Sequence, residues 1–184
     1  MNLTEDQIEE ALPRVSAGLA KYTWLQAELR SRDVSRDSEY QKRFGGFYRV
    51  RRNLAWRNAF FQILEQGKVA PIAFEEVLRS IYSATGRVEA SFASKLIATL
   101  DPSKPVIDSV VLGNLGLRLP APASSDRFAG VASLHQQLLN LYSKYLASDP
   151  GCELVARFRT AYPTAKITEV KMLDFVLWQS RSTA

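Results

Sequence analysis

"ASFASKLIATLDPSKPVIDSVV", residues 90–111, decides how this chain is read. Its first half has the spacing of an amphipathic helix. Phe92, Ala93, Leu96 and Leu100 project to one side, and Ser91, Ser94, Ala98 and Thr99 surround Lys95 on the other. Small neighbours leave room for another molecule, or another helix, to approach Lys95 closely. Asp101-Pro102 must end that helix, because the residue before a proline is pushed out of the helical region. Pro105 stiffens the return, and Asp108 stands where an N-cap belongs, its carboxylate placed to accept backbone N–H bonds from the next helix. A lone amine and a lone carboxylate therefore flank a stiff loop, thirteen residues apart.

The helical period continues in both directions. Thr4 with Gln7 forms a capping box, and Pro13 divides the N-terminal region into a short helix and a longer one to about residue 31. Ser35 or Asp37 starts a helix predicted to stop at Gly45-Gly46, and Asn53 caps another that runs to Gln66 and ends at Gly67. Pro71 opens a helix with Phe74, Val77, Leu78 and Ile81 on its core face, and Thr85-Gly86 turns into the quoted stretch. Beyond Asp108 the pattern predicts a short helix closed by Gly116 and a loop at 118–126. A long helix marked by Phe128, Val131, Leu138, Tyr142 and Tyr145 comes next, ending before Asp149-Pro150-Gly151. Two more helices, about 152–161 and 168–179, complete the chain. No segment sustains a period of two, so the expectation is an all-α single domain over residues 1–184 with about eight helices.

At 184 residues a globule removes roughly 70% of its unfolded surface from water and needs no covalent staples. Cys152 is the only cysteine and His135 the only histidine, which excludes an internal disulfide, a cysteine-held iron–sulfur cluster and the usual zinc sites. No cofactor or metal is expected. No run approaches the length of a membrane span, and the acidic start "MNLTEDQIEEAL" has neither signal nor transit character, so the expectation is a cytoplasmic protein without a membrane partner. The oligomeric state is open, with a monomer favoured.

The net charge of +5 is local. Residues 42–57, "KRFGGFYRVRRNLAWR", hold Lys42, Arg43, Arg49, Arg51, Arg52 and Arg57 and no acid, leaving the remainder close to neutral. A single basic block suits a polyanion, by phosphate contact, and equally suits a solvated helix start. Phe44, Phe47, Tyr48, Trp56 and Phe60 interleave with it, which fits bases stacked beside phosphates or a core helix edged by arginines. Phe47, Tyr48 and Trp56 are the stacking candidates. Arg57 shares a stripe with Leu54, Phe61 and Leu64, and Asp174 sits among Val170, Leu173, Leu177 and Trp178. Both are expected inside, in ion pairs with each other or with other groups. His135 lies on an apolar stripe as a core residue, and Cys152 is expected to be partly buried.

The stretch from Thr85 to about Leu117 resembles the helix-hairpin-helix DNA glycosylase superfamily, in which a turn and a helix precede a short loop, Pro-x-x-Asp and another helix. The chain is more similar still to a group of small bacterial proteins with an 8-oxoguanine DNA glycosylase-like fold. They share segments present here as Gly46 to Trp56, Ser91 to Leu96 and Pro105 to Asp108. The resemblance implies a degenerate form of that fold and a role in DNA repair. Asp108 would stand in the place of the catalytic aspartate, Lys95 beside it, and Gly86 with Arg87 where the hairpin holds a phosphate. "ATGRVEAS" departs from the family hairpin in offering a single glycine, and Lys95 lies further along its helix than the lysine of bifunctional members. The implied function is DNA binding with excision of a damaged or modified base. The alternative is a non-catalytic module that binds nucleic acid or protein and holds Lys95 and Asp108 as a structural pair.

Overall fold

Side chains write the helix starts of this chain. The computed structural model describes Met1 and residues 3–180 and is helical throughout, with no strand among the described residues. Thr4 Oγ1 accepts from the Gln7 amide, and Gln7 Oε1 accepts from Thr4 N, opening α1 (Glu5–Ala11). A 3-10 turn at Leu12–Arg14, containing Pro13, leads into α2 (Ser16–Glu28). Asp37 caps α3 (Ser38–Tyr48) and Asn53 caps α4 (Leu54–Gln66), each by accepting the amide three residues on. Then come α5 (Phe74–Thr85), α6 (Ala90–Leu100), α7 (Ser109–Asn114), α8 (Arg127–Leu146), α9 (Asp149–Ala161) and α10 (Glu169–Gln179). Ten α-helices stand among the described residues rather than about eight, and each coincides with a segment that the pattern marks as helical, the short α1 and α7 included.

Two boundaries differ from expectation. Gly45 and Gly46 lie inside α3, which runs on to Tyr48 and ends at Arg49 in the left-handed conformation, φ 55°. Asp149-Pro150-Gly151 opens α9 rather than separating two helices, since proline is accommodated in a first turn. Gly151 is required there by close approach: a Cβ would lie 2.0 Å from the Tyr145 carbonyl oxygen. That start also turns Cys152 outward, so the thiol expected to be partly buried is exposed.

The core has two axes. On α10 every residue from Lys171 to Leu177 is buried, so the helix is surrounded; α1, α7, α8 and α9 pack on it. On α6 the residues Ala93 to Thr99 are buried, with α5 alongside. An aromatic seam joins the two: Phe44 meets Phe60, Phe61 and Tyr48, while Phe47 reaches Trp178 at 5.6 Å and Phe175 at 6.3 Å between ring centres. The edge-to-face pairs among them, Phe44–Phe61 and Phe47–Trp178, add about 0.5–1.5 kcal/mol each beyond the area they bury.

Candidate functional site

Lys95 and Asp108 are brought together by their chain neighbours. Ser94 Oγ accepts from the Ile107 amide at 2.8 Å, a buried bond that ties α6 to the loop before α7. Because the bonded residues immediately precede Lys95 and Asp108, it keeps the two within electrostatic reach of each other. The small face of α6 is thus occupied by the protein itself. Ser94 and Ala98 are fully buried, Thr99 nearly so, and Gln26 of α2 donates to the Thr99 carbonyl. Asp108 is half-buried and caps α7, with Oδ1 accepting from Val110 N at 2.9 Å. Its Oδ2 has no donor among the described residues.

Lys95 is 7% exposed, and its amine donates to the Tyr48 carbonyl at 3.2 Å, at the end of α3. No ion pair joins it to Asp108 or to any other acid among the described residues. The rings of Phe92 and Tyr48 lie 5.3 and 5.9 Å from its nitrogen. Burial pulls the amine below the ordinary lysine range; the Asp108 charge opposes that shift and Arg49 adds to it. The structure therefore juxtaposes a buried amine, tuned toward neutrality, and a half-exposed carboxylate with a free oxygen.

A second buried lysine was not foreseen. Lys171 Nζ lies 2.6 Å from Asp174 Oδ2, both side chains are fully buried, and Tyr142 donates its hydroxyl to Asp174 Oδ1 at 2.7 Å. Asp174 is inside as expected, but its partners are Lys171 and Tyr142 rather than Arg57. Burial alone would lower the Lys171 amine, yet the charge and hydrogen bond of Asp174 together with Tyr48 outweigh it, and the amine stays above its ordinary range. The signal in the sequence was a lysine three residues before an aspartate on a helix with no polar face.

The basic block divides into unlike parts. Lys42, Arg49, Arg51, Arg57 and Arg87 are exposed and without an ion pair among the described residues. Arg43 is held by Glu39 at 2.8 Å, with its guanidinium 4.1 Å over the Trp24 ring. Arg52 donates to both oxygens of Glu89, at 2.9 and 3.1 Å, and is half-buried. Arg57 is exposed, contrary to expectation. Its stripe is continuous in projection, but the neighbouring helices cover only the later turns: Leu54 is 62% exposed and Leu64 fully buried. Tyr48 and Trp56 are core residues, at 3% and 8%, so their rings face protein rather than solvent; Phe47 is half-buried. Gly86 closes α5 at φ 70°, and its amide is engaged by the Tyr82 carbonyl at 2.7 Å. His135 is a core histidine, stacked on Phe74 at 3.9 Å.

Two clefts open elsewhere. One of about 610 Å³ lies between α2 and α3, lined by Trp24, Phe47, Lys21 and Lys42 among others. The second, of about 380 Å³, lies near Tyr142 and Val170. Neither includes Lys95 or Asp108. No group of three or more potential metal ligands occurs among the described residues, and no helix is long and apolar enough to cross a membrane. No protein-family model matches the chain, nor does any curated protein or solved structure.

Proposed function

We propose that this protein binds DNA through the exposed cations around Arg49 and Arg51 and releases a damaged or modified base at Asp108. The observation that carries the reading is a carboxylate fixed at a helix start, with one oxygen free, beside an unpaired buried amine. Cleaving an N-glycosidic bond sends the electron pair out with the base and leaves positive charge on the sugar. A fixed carboxylate next to that charge lowers the barrier, and it accepts the proton of the water that adds to C1′. Base flipping brings the sugar to such a site. Lys95 offers its amine beside the carboxylate, and burial, which pulls that amine below the ordinary lysine range, favours the neutral form that a nucleophile needs.

Support comes further from the left-handed Arg49, which turns the chain at the end of α3 and places a guanidinium close enough to Lys95 to lower its amine. One observation favours the non-catalytic alternative: the Lys95 amine satisfies a carbonyl at the C-terminus of α3, a purely structural task. Base release from a panel of damaged and modified oligonucleotides separates the two. Release by the native protein, abolished in Asp108→Asn with fold and DNA binding retained, establishes the excision reading. Undiminished release in Asp108→Asn removes that residue from catalysis. Borohydride trapping on DNA, lost in Lys95→Met, would add a Schiff-base role.

A further inference from the structure

The 610 Å³ cleft between α2 and α3 lies within the size range of small-ligand sites. It is lined by Ala20, Trp24, Gly46 and Phe47, with Lys21, Lys42, Arg43 and the acid Glu39 as its charged residues. Three features give it a chemistry. The floor is aromatic and half-exposed, and Phe47 is locked from behind by Tyr48 and Trp178, at 4.6 and 5.6 Å. The rim is cationic and unequally compensated: Glu39 is engaged by Arg43 and Arg32, at 2.8 and 3.2 Å. Lys21 and Lys42 have no carboxylate partner among the described residues. Gly46 sits flush in the floor, where an added Cβ would meet nothing within 4 Å.

From this juxtaposition we infer that the cleft is a second nucleic-acid site, which takes an unpaired nucleotide with its base against Phe47 and the Arg43 guanidinium that covers Trp24, and its phosphate at Lys21 and Lys42. The inference rests on the nucleic-acid reading above and deepens it. The basic block is then two surfaces, Arg49 and Arg51 by the Asp108 site and Lys42 in this cleft. A recessed aromatic floor selects single strands, because a duplex keeps its base faces stacked on one another. Anionic rather than neutral ligands are selected by the two uncompensated ammonium groups.

The test uses a fluorescein-labelled oligothymidylate and a labelled duplex of ordinary sequence, both at low salt. Gly46→Leu plugs the cleft from a helix position with open space, so it keeps the fold, and Lys21→Ala with Lys42→Ala removes the rim charges. Each variant is expected to weaken oligothymidylate binding about tenfold at an unchanged thermal midpoint. The double variant should also flatten the salt dependence by about 1.4 in log–log slope. Arg49→Ala with Arg51→Ala should instead weaken duplex binding. Native protein that binds duplex, with oligothymidylate affinity indifferent to both cleft variants, overturns the inference and leaves the function standing. Binding of oligoglutamate, lost in Gly46→Leu while oligothymidylate is unaffected, overturns it in favour of an acidic protein partner. Failure of the native protein to bind either nucleic acid overturns both readings together.

Discussion

Lys171 on α10 and Lys95 on α6 are buried almost equally, at 0% and 7% exposure, yet their surroundings differ in kind. Lys171 meets a fully buried carboxylate at 2.6 Å, and Tyr142 takes that carboxylate's other oxygen, so every charge is answered within the protein. Lys95 meets a neutral carbonyl, and the nearby Asp108 keeps an oxygen unengaged by the protein. Desolvation is the largest influence on both amines, but the close carboxylate reverses it for Lys171 and the more distant one does not for Lys95. Burial alone therefore does not mark a site. A closed pair is scaffold, while an amine buried without closure retains capacity for something outside the protein.

Stability should separate the two lysines most strongly. Lys171→Met strands a buried carboxylate and is expected to cost about 3–5 kcal/mol in urea unfolding. Lys95→Met strands only the Tyr48 carbonyl while removing a desolvated amine, so its effect should stay within about 1 kcal/mol. Equal losses from the two substitutions would erase the distinction.

A third buried base extends the contrast. His135 is held mainly by burial near a pKa of about 4, with Glu75 raising and Lys104 lowering it by smaller amounts. The unfolded chain takes up that proton near the ordinary histidine value of about 6.5, so the unfolded state binds more protons between the two values. Stability is therefore full above about pH 6.5 and falls by about 3 kcal/mol as the pH drops toward 4. Unfolding curves across that range should lose this component of slope in His135→Gln.

Among the surface cations the effects are smaller. Arg52→Ala strands Glu89, whose side chain is 13% exposed, and should cost about 1–3 kcal/mol without changing the salt dependence of DNA binding. Arg49→Gly relieves a left-handed residue and should stabilise by up to about 1 kcal/mol while weakening DNA binding. Arg57→Ala should fall within about 0.5 kcal/mol of the native protein.

Much of the fold was legible because it is local. The caps at Thr4, Asn53 and Asp108 and the stops at Gly67 and Gly86 act within a few residues, and the sequence displays both partners. What lay across the chain was not legible. The Ser94 bond to Ile107 has no signature beyond a serine on a small face, and the cover over Phe61 and Leu64 but not Arg57 is set by packing between helices. Tyr48 and Trp56 read as exposed or buried with equal ease, since aromatics beside arginines fit a stacking platform and a core edge alike. The capping role of Asp108 was legible from its position, whereas the lack of an acidic partner for Lys95 is a tertiary fact.

Whether Lys95 is an open amine is decided by an NMR titration of the lysine side-chain nitrogens, assigned with Lys95→Met and Lys171→Met. Lys95 should lose its proton below the ordinary lysine value of about 10.4, move upward toward that value in Arg49→Gly, and move lower in Asp108→Asn. Lys171 should hold its proton beyond that value. A Lys95 amine that titrates at or above the ordinary value, or one indifferent to Asp108→Asn, would reduce Lys95 to a structural lysine and remove the basis for a site at Asp108.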